Sequence, residues 1–163
     1  GGKGGGGTIL TDHGRDLIKT YNHYSQVHEL YLTDITQMNC IEAVIKEISE
    51  GYAVAETTTG DKIACVLLDK DIQTDSRVNL FIKPSDVILV TGNKFEASAR
   101  NSLKTKVKSL LGKDGKSEIV LVTDKWTTFT TKITSQSAFK LGLKKGSVIY
   151  ALFKTTSVLA SIR

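Results

Sequence analysis

The chain has 163 residues, of which 40% are hydrophobic, and a formal charge of +5 at neutral pH. That length can bury one or two modest cores, and so mild a basic excess suits a solvated surface as well as an anionic partner. No segment has the length or apolarity of a membrane span, and none reads as a signal peptide.

The opening run Gly1-Gly2-Lys3-Gly4-Gly5-Gly6-Gly7-Thr8 lacks the Gly-Lys-Ser/Thr ending of a phosphate loop, and no strand pattern precedes it. The chain starts without Met, as a fragment of a longer protein would. A helix signal follows, with Thr11 as its cap and Asp12 at its positive end. Leu10, Gly14, Leu17, Tyr21, Tyr24, His28, Tyr31 and Ile35 step alternately by four and three, a heptad seam with Gly14 and His28 as weak points. Ile18, Val27, Leu30 and Leu32 add a second apolar flank. Two arrangements cover so much apolar surface: a dimer helix, the preferred reading, or packing onto the chain's own β region.

Beyond Met38 the pattern changes to short β-rich runs at 41–48, 52–57, 62–68, 77–83 and 86–90, separated by turn signals. A second series follows at 102–111, 117–123, 126–134, 147–153 and 157–162. The two are copies. Asn39-x-Ile41-x-x-x-Ile45-x-x-Ile48 matches Asn101-x-Leu103-x-x-x-Val107-x-x-Leu110, and Lys83 after one run matches Lys154 after the other. Five short strands twice over predict a mainly β fold of two tandem five-stranded barrels of the OB type. Phe81, Trp126, Phe129, Tyr150 and Phe153 fit core positions, which argues against a stacking surface for oligonucleotides. Cys40 and Cys65 sit in apolar runs and read as two buried free thiols of a cytoplasmic protein.

The second copy carries an insert, Thr134 to Gly142, with the signature of a short helix capped by Thr134 and stopped at Gly142. Ahead of that copy stands Ser98-Ala99-Arg100-Asn101. A polar turn explains those four residues as well as an anion site does. Thr134, Ser137 and Lys154 favour the site: hydroxyls, a guanidinium and an ammonium, with no carboxylate, suit an oxyanion better than a metal or acid–base chemistry. His13, His23 and His28 lack metal-ligand spacing and have no cysteine cluster nearby. No hydrolase motif is present, so the chain does not read as an enzyme.

Ser98-Ala99-Arg100-Asn101-Ser102-Leu103, Ile133-Thr134-Ser135-Gln136-Ser137 with Leu141-Gly142-Leu143-x-x-Gly146, and Phe153-Lys154-x-x-Ser157-Val158 resemble the molybdate-binding Mop or TOBE domain over residues 96–162. Residues 38–91 resemble a diverged copy. The glycine-rich opening and the helix after it resemble the wing and linker of ModE-type molybdate-responsive transcription regulators. The resemblance divides the chain into a wing remnant (1–8), a dimerisation helix (9–37), a first barrel (38–92) and a second barrel (93–163). It implies a bacterial cytoplasmic homodimer that would reach DNA through a missing N-terminal domain. It further implies that molybdate or tungstate is held at a barrel interface by Ser98, Ala99, Arg100, Asn101, Thr134, Ser137 and Lys154. In the first copy Met38 stands for Arg100 and Leu68 for Thr134, leaving Lys83 and implying a structural partner or a weaker site. Two other roles of such barrels are passive molybdate storage and the regulatory tail of a transport ATPase.

Overall fold

The computed structural model describes residues 11–92 and 96–163, and the side chains of all of these except 26–36. The chain divides into two compact units at Thr36/Gln37.

The first unit contains helix α1, Asp12–Thr36. Thr11 caps it as expected: its hydroxyl accepts the Gly14 N–H at 3.1 Å, and its carbonyl accepts the Arg15 N–H at 3.0 Å. Along the seam, Leu17, Tyr21 and Tyr24 are exposed. The wing reading (1–8), Leu10 and the side chains of His28, Tyr31 and Ile35 lie outside the described residues.

Among its described residues, the second unit contains ten strands: β1 (Asn39–Ser49), β2 (Tyr52–Thr57), β3 (Lys62–Leu67), β4 (Arg77–Ile82), β5 (Ile88–Val90), β6 (Asn101–Lys113), β7 (Lys116–Thr123), β8 (Thr128–Thr134), β9 (Val148–Phe153) and β10 (Val158–Ile162). One-turn 3-10 helices at Pro84–Asp86 and Thr155–Ser157 precede β5 and β10, and helix α2 (Ser135–Lys140) fills the insert. All ten expected strands form. Their alternation sets the core, with Ile41, Ala43 and Ile45 buried on β1, Val78, Leu80 and Ile82 on β4, and Ile149, Ala151 and Phe153 on β9. Each large aliphatic side chain so buried contributes about 1.5–3 kcal/mol. The two copies correspond in register down to a β-bulge, between Ile45 and Glu47 in one and between Val107 and Ser109 in the other. At both places the extra residue bends a long strand around its barrel.

Sheet membership crosses the 92/93 division drawn along the chain. β5 pairs with β9, Ile88 opposite Leu152, whereas β10 pairs with β4 and runs parallel to β3. Each copy thus lends its last strand to the other, and one hydrophobic core spans both. The 3-10 turns do this by carrying the chain across to the neighbouring sheet. The first barrel closes in the order β1-β2-β3-β10-β4; the second is a five-stranded sheet, β5-β9-β6-β7-β8, in which β5 and β8 remain unpaired edges.

Two expectations are corrected. Trp126 is not a core residue: it is 79% exposed at the β7–β8 turn, whereas Phe129 and Phe153 are buried and meet edge to face at 6.2 Å. Cys40 is exposed and only Cys65 is buried, because neighbouring residues of a strand face opposite sides and Cys40 precedes the buried Ile41. Burial raises the Cys65 thiol pKa to about 11.

Candidate functional site

Asn101 opens β6 and is buried. Its amide closes a reciprocal pair with Ala64 of β3: the Ala64 N–H donates to Oδ1 at 2.7 Å, and Nδ2 donates to the Ala64 carbonyl at 2.9 Å. Asn39 does the same to Thr130 of β8, with distances of 2.7 and 2.8 Å. The two asparagines are equivalent positions of the repeat, and each ties its own copy to a strand of the other, β3 or the edge strand β8. Asn101 thereby uses its amide oxygen and one of its two amide N–H groups to tie the copies together.

Lys83 and Lys154 are also equivalent. Both are extended residues directly before a 3-10 turn, with φ, ψ of −68°, 132° and −72°, 150°. Their carbonyls accept the turn-closing N–H groups of Asp86 and Ser157 at 3.0 and 3.1 Å. Lys154 lines an open hollow of about 460 Å³ together with Ser98, Ala99, Ser85, Asp86 and Ser157. The structure therefore brings together three of the expected residues, Ser98, Ala99 and Lys154.

Thr134 and Ser137 meet one another at the start of α2. The Thr134 hydroxyl accepts the Ser137 N–H at 3.1 Å and donates to the Ser137 hydroxyl at 2.8 Å. The helix ends in a Schellman motif at Gly142 (φ 61°), where Gly142 N–H bonds to the Phe139 carbonyl and Leu143 N–H to that of Ala138. Ser137 lines a second hollow, of about 350 Å³, with Lys132, Lys140 and Ser85. It lies at the seam between β5 and β8, where the second sheet fails to close. Ser85 and Ile88 border both hollows.

Arg100 lines neither of these hollows. It is exposed, and its guanidinium lies over the Tyr52 ring of the first copy, 4.0 Å from the centroid, a contact worth about 0.5–1 kcal/mol at such a site. Tyr52 was not singled out in the sequence, because nothing local marks it as the platform for a residue 48 positions later. Among the described residues, no group of three or more His, Cys, Asp or Glu side chains is placed to hold a metal ion. No helix there is long and apolar enough to cross a membrane.

A buried polar junction was missed as well. Asp61, before β3, accepts hydroxyl bonds from Thr123 at 2.5 Å and from Thr127 at 2.6 Å. Thr57 and Thr59 extend the network to Thr127. Thr57 and Asp61 are the repeat counterparts of Thr123 and Thr127, so the two β-turns grip one another across the pseudo-two-fold.

Residues 97–160 match the family model of the TOBE domain. Across 99% of this chain and 73% of the relative, an alignment of 197 positions is 23% identical to the molybdenum transport protein ModE of Azotobacter vinelandii. The fold matches that of the cytoplasmic molybdate-binding protein ModG, solved with molybdate bound, with a TM-score of 0.72 and 24% identity. That match covers 77% of this chain and 96% of ModG. Together the comparisons support a ModE-type Mop/TOBE protein with a mainly β, tandem-barrel fold, as the residues implied.

Proposed function

We propose that this chain is the oxyanion-sensing, dimerising effector region of a ModE-like regulator, with molybdate or tungstate as its ligand. The observation that carries the reading is the hollow that gathers Ser98 and Ala99 from one stretch of chain and Lys154 from another. A tetrahedral dianion needs several donors around four oxygens and cations to balance its charge. One chain offers these in pieces. The 460 Å³ hollow is open and far larger than such an anion, Asp86 lies on its wall, Ser137 faces the next hollow, and Arg100 rests on Tyr52. A second copy would complete the set, adding Arg100 or Thr134 and Ser137 to the Ser98 and Lys154 that one chain already brings together. Binding there would couple occupancy to subunit geometry, as a sensor requires.

The similarity to ModE over 99% of the chain takes in α1, whereas the ModG match spans 77%. The helix therefore favours a regulator over the storage reading, and its exposed Leu17, Tyr21 and Tyr24 are the surface that a partner helix would cover. DNA would be reached through a domain upstream of these residues. Titration calorimetry with molybdate, tungstate and sulfate tests the ligand: heat from the first two is expected, and none from either refutes the reading. Arg100→Ala is expected to abolish that heat, because it removes one of two cations facing a dianion. Native mass spectrometry with and without molybdate should show a dimer carrying the anion; a liganded monomer would refute the shared site.

A further inference from the structure

The basic excess of this protein is not spread evenly. Residues 37–91 hold five Lys/Arg against nine Asp/Glu, whereas residues 92–163 hold fourteen against four. One copy is thus net acidic by four charges and the other net basic by ten. Part of that excess forms a row along β6. Exposed Lys104 and Lys106 alternate with the buried Thr105 and Val107, and exposed Lys108 follows at the bulge. Their counterparts in the first copy are Glu42, Val44 and Lys46, so the row belongs to the second copy alone. Alternate residues of a strand lie about 6.8 Å apart on one face, a spacing comparable to that of successive phosphates along a nucleic-acid strand.

At the end of this row stands Trp126. It is the chain's one tryptophan, it is 79% exposed, and its backbone is left-handed, φ 75°. Its repeat counterpart is Gly60, φ 93°, the residue expected where the chain must turn this way. A tryptophan in that conformation costs about 1–2 kcal/mol, and here the ring does not recover it by burial. The turn is nevertheless held firmly. Trp126 N–H donates to the Thr123 carbonyl at 3.0 Å, and flanking Thr123 and Thr127 are both bonded to buried Asp61. Lys125 lies beside it, its ammonium 2.6 Å from the Gly60 carbonyl, and Asp124 of the same turn pairs with Lys104 at 3.7 Å. The result is an exposed indole on a firmly held turn, and Asp124 of that turn reaches the first lysine of the row.

We infer that the β6 lysine row and Trp126 form a binding surface for single-stranded nucleic acid. Lys104, Lys106 and Lys108 follow the phosphates, and a base stacks on the Trp126 indole. Stacking calls for an exposed ring and is tolerant of sequence; the lysine row supplies the salt-sensitive attraction. This surface is separate from the hollow of Ser98 and Lys154 and does not depend on the oxyanion reading.

The sole tryptophan makes the test direct. Adding an oligo-deoxythymidine of about a dozen nucleotides at low salt should quench the Trp126 fluorescence. The affinity, read by anisotropy of a labelled strand, should fall with salt at a log–log slope of about −2 for three ammonium contacts. Lys104→Glu/Lys106→Glu/Lys108→Glu should weaken binding at least tenfold, and Trp126→Ala roughly tenfold with little change in the salt slope. Both variants change exposed side chains, so their melting curves and molybdate titrations should match those of the parent. No binding at low salt overturns the inference, as does undiminished binding by the triple variant. Equal affinity for heparin, anionic vesicles or duplex DNA without quenching overturns it too, showing a general cation surface.

Discussion

The two barrels are built on one backbone plan and differ in what is placed on it. Both begin with an asparagine clamped to the opposite copy, bulge at the same position, and end with a lysine before a one-turn helix. In the first, Met38 and Leu68 occupy the places of Arg100 and Thr134, the net charge is acidic, and β10 closes the sheet. In the second, the insert α2 stands at an unclosed seam, and hollows lined by Ser137 and by Ser98 with Lys154 open on either side of β5. The barrel therefore does not require the polar groups of the second copy. What the two share holds the fold, and where they differ is where function is to be sought.

The comparison breaks most sharply at the lysines. Lys154→Met should weaken molybdate binding about a hundredfold by calorimetry, the scale set by stripping one charge from a partly buried ion pair. The matched Lys83→Met change should leave that tight phase intact. Equal losses would mean that both copies bind alike and that the contrast drawn here is wrong.

The asparagines test what is common. Asn101→Ala strands the N–H and carbonyl of Ala64, and Asn39→Ala strands those of Thr130, so each should lower unfolding free energy by about 2–4 kcal/mol in a denaturant titration. The two losses should be similar, and Asn101→Ala should cost far more stability than Ser98→Ala. An Asn101→Ala protein of parental stability that no longer binds molybdate would show that this side chain serves the oxyanion site and not the fold.

The left-handed turn gives a smaller contrast. Gly60→Ala should cost about 1 kcal/mol because it puts a Cβ at φ 93°. Trp126→Gly should stay within about 0.5 kcal/mol of the parent, since relief of the same strain offsets the added freedom of the unfolded chain. Least in energy is the thiol test: one cysteine, the exposed Cys40, should react with an aromatic disulfide at pH 8, and both in denaturant. Cys65 is protected by burial and by its raised pKa of about 11.

The strands, the two helices with their caps and the twofold repeat were all legible in the chain. So were the candidates Ser98, Lys154, Thr134 and Ser137. Alternation, capping and turn chemistry are local, and a repeat can be counted. Three matters were settled only by tertiary structure. β5 and β10 change places, because an alternating strand records which face is apolar but not which neighbour it will pair with. Asn101 turns inward to Ala64 and Arg100 lies on Tyr52, because the partner of a polar side chain is set by whatever the fold brings beside it. Trp126 stands in solvent, because aromatic character suits a core and a stacking surface equally, and only the backbone around it determines which one it meets.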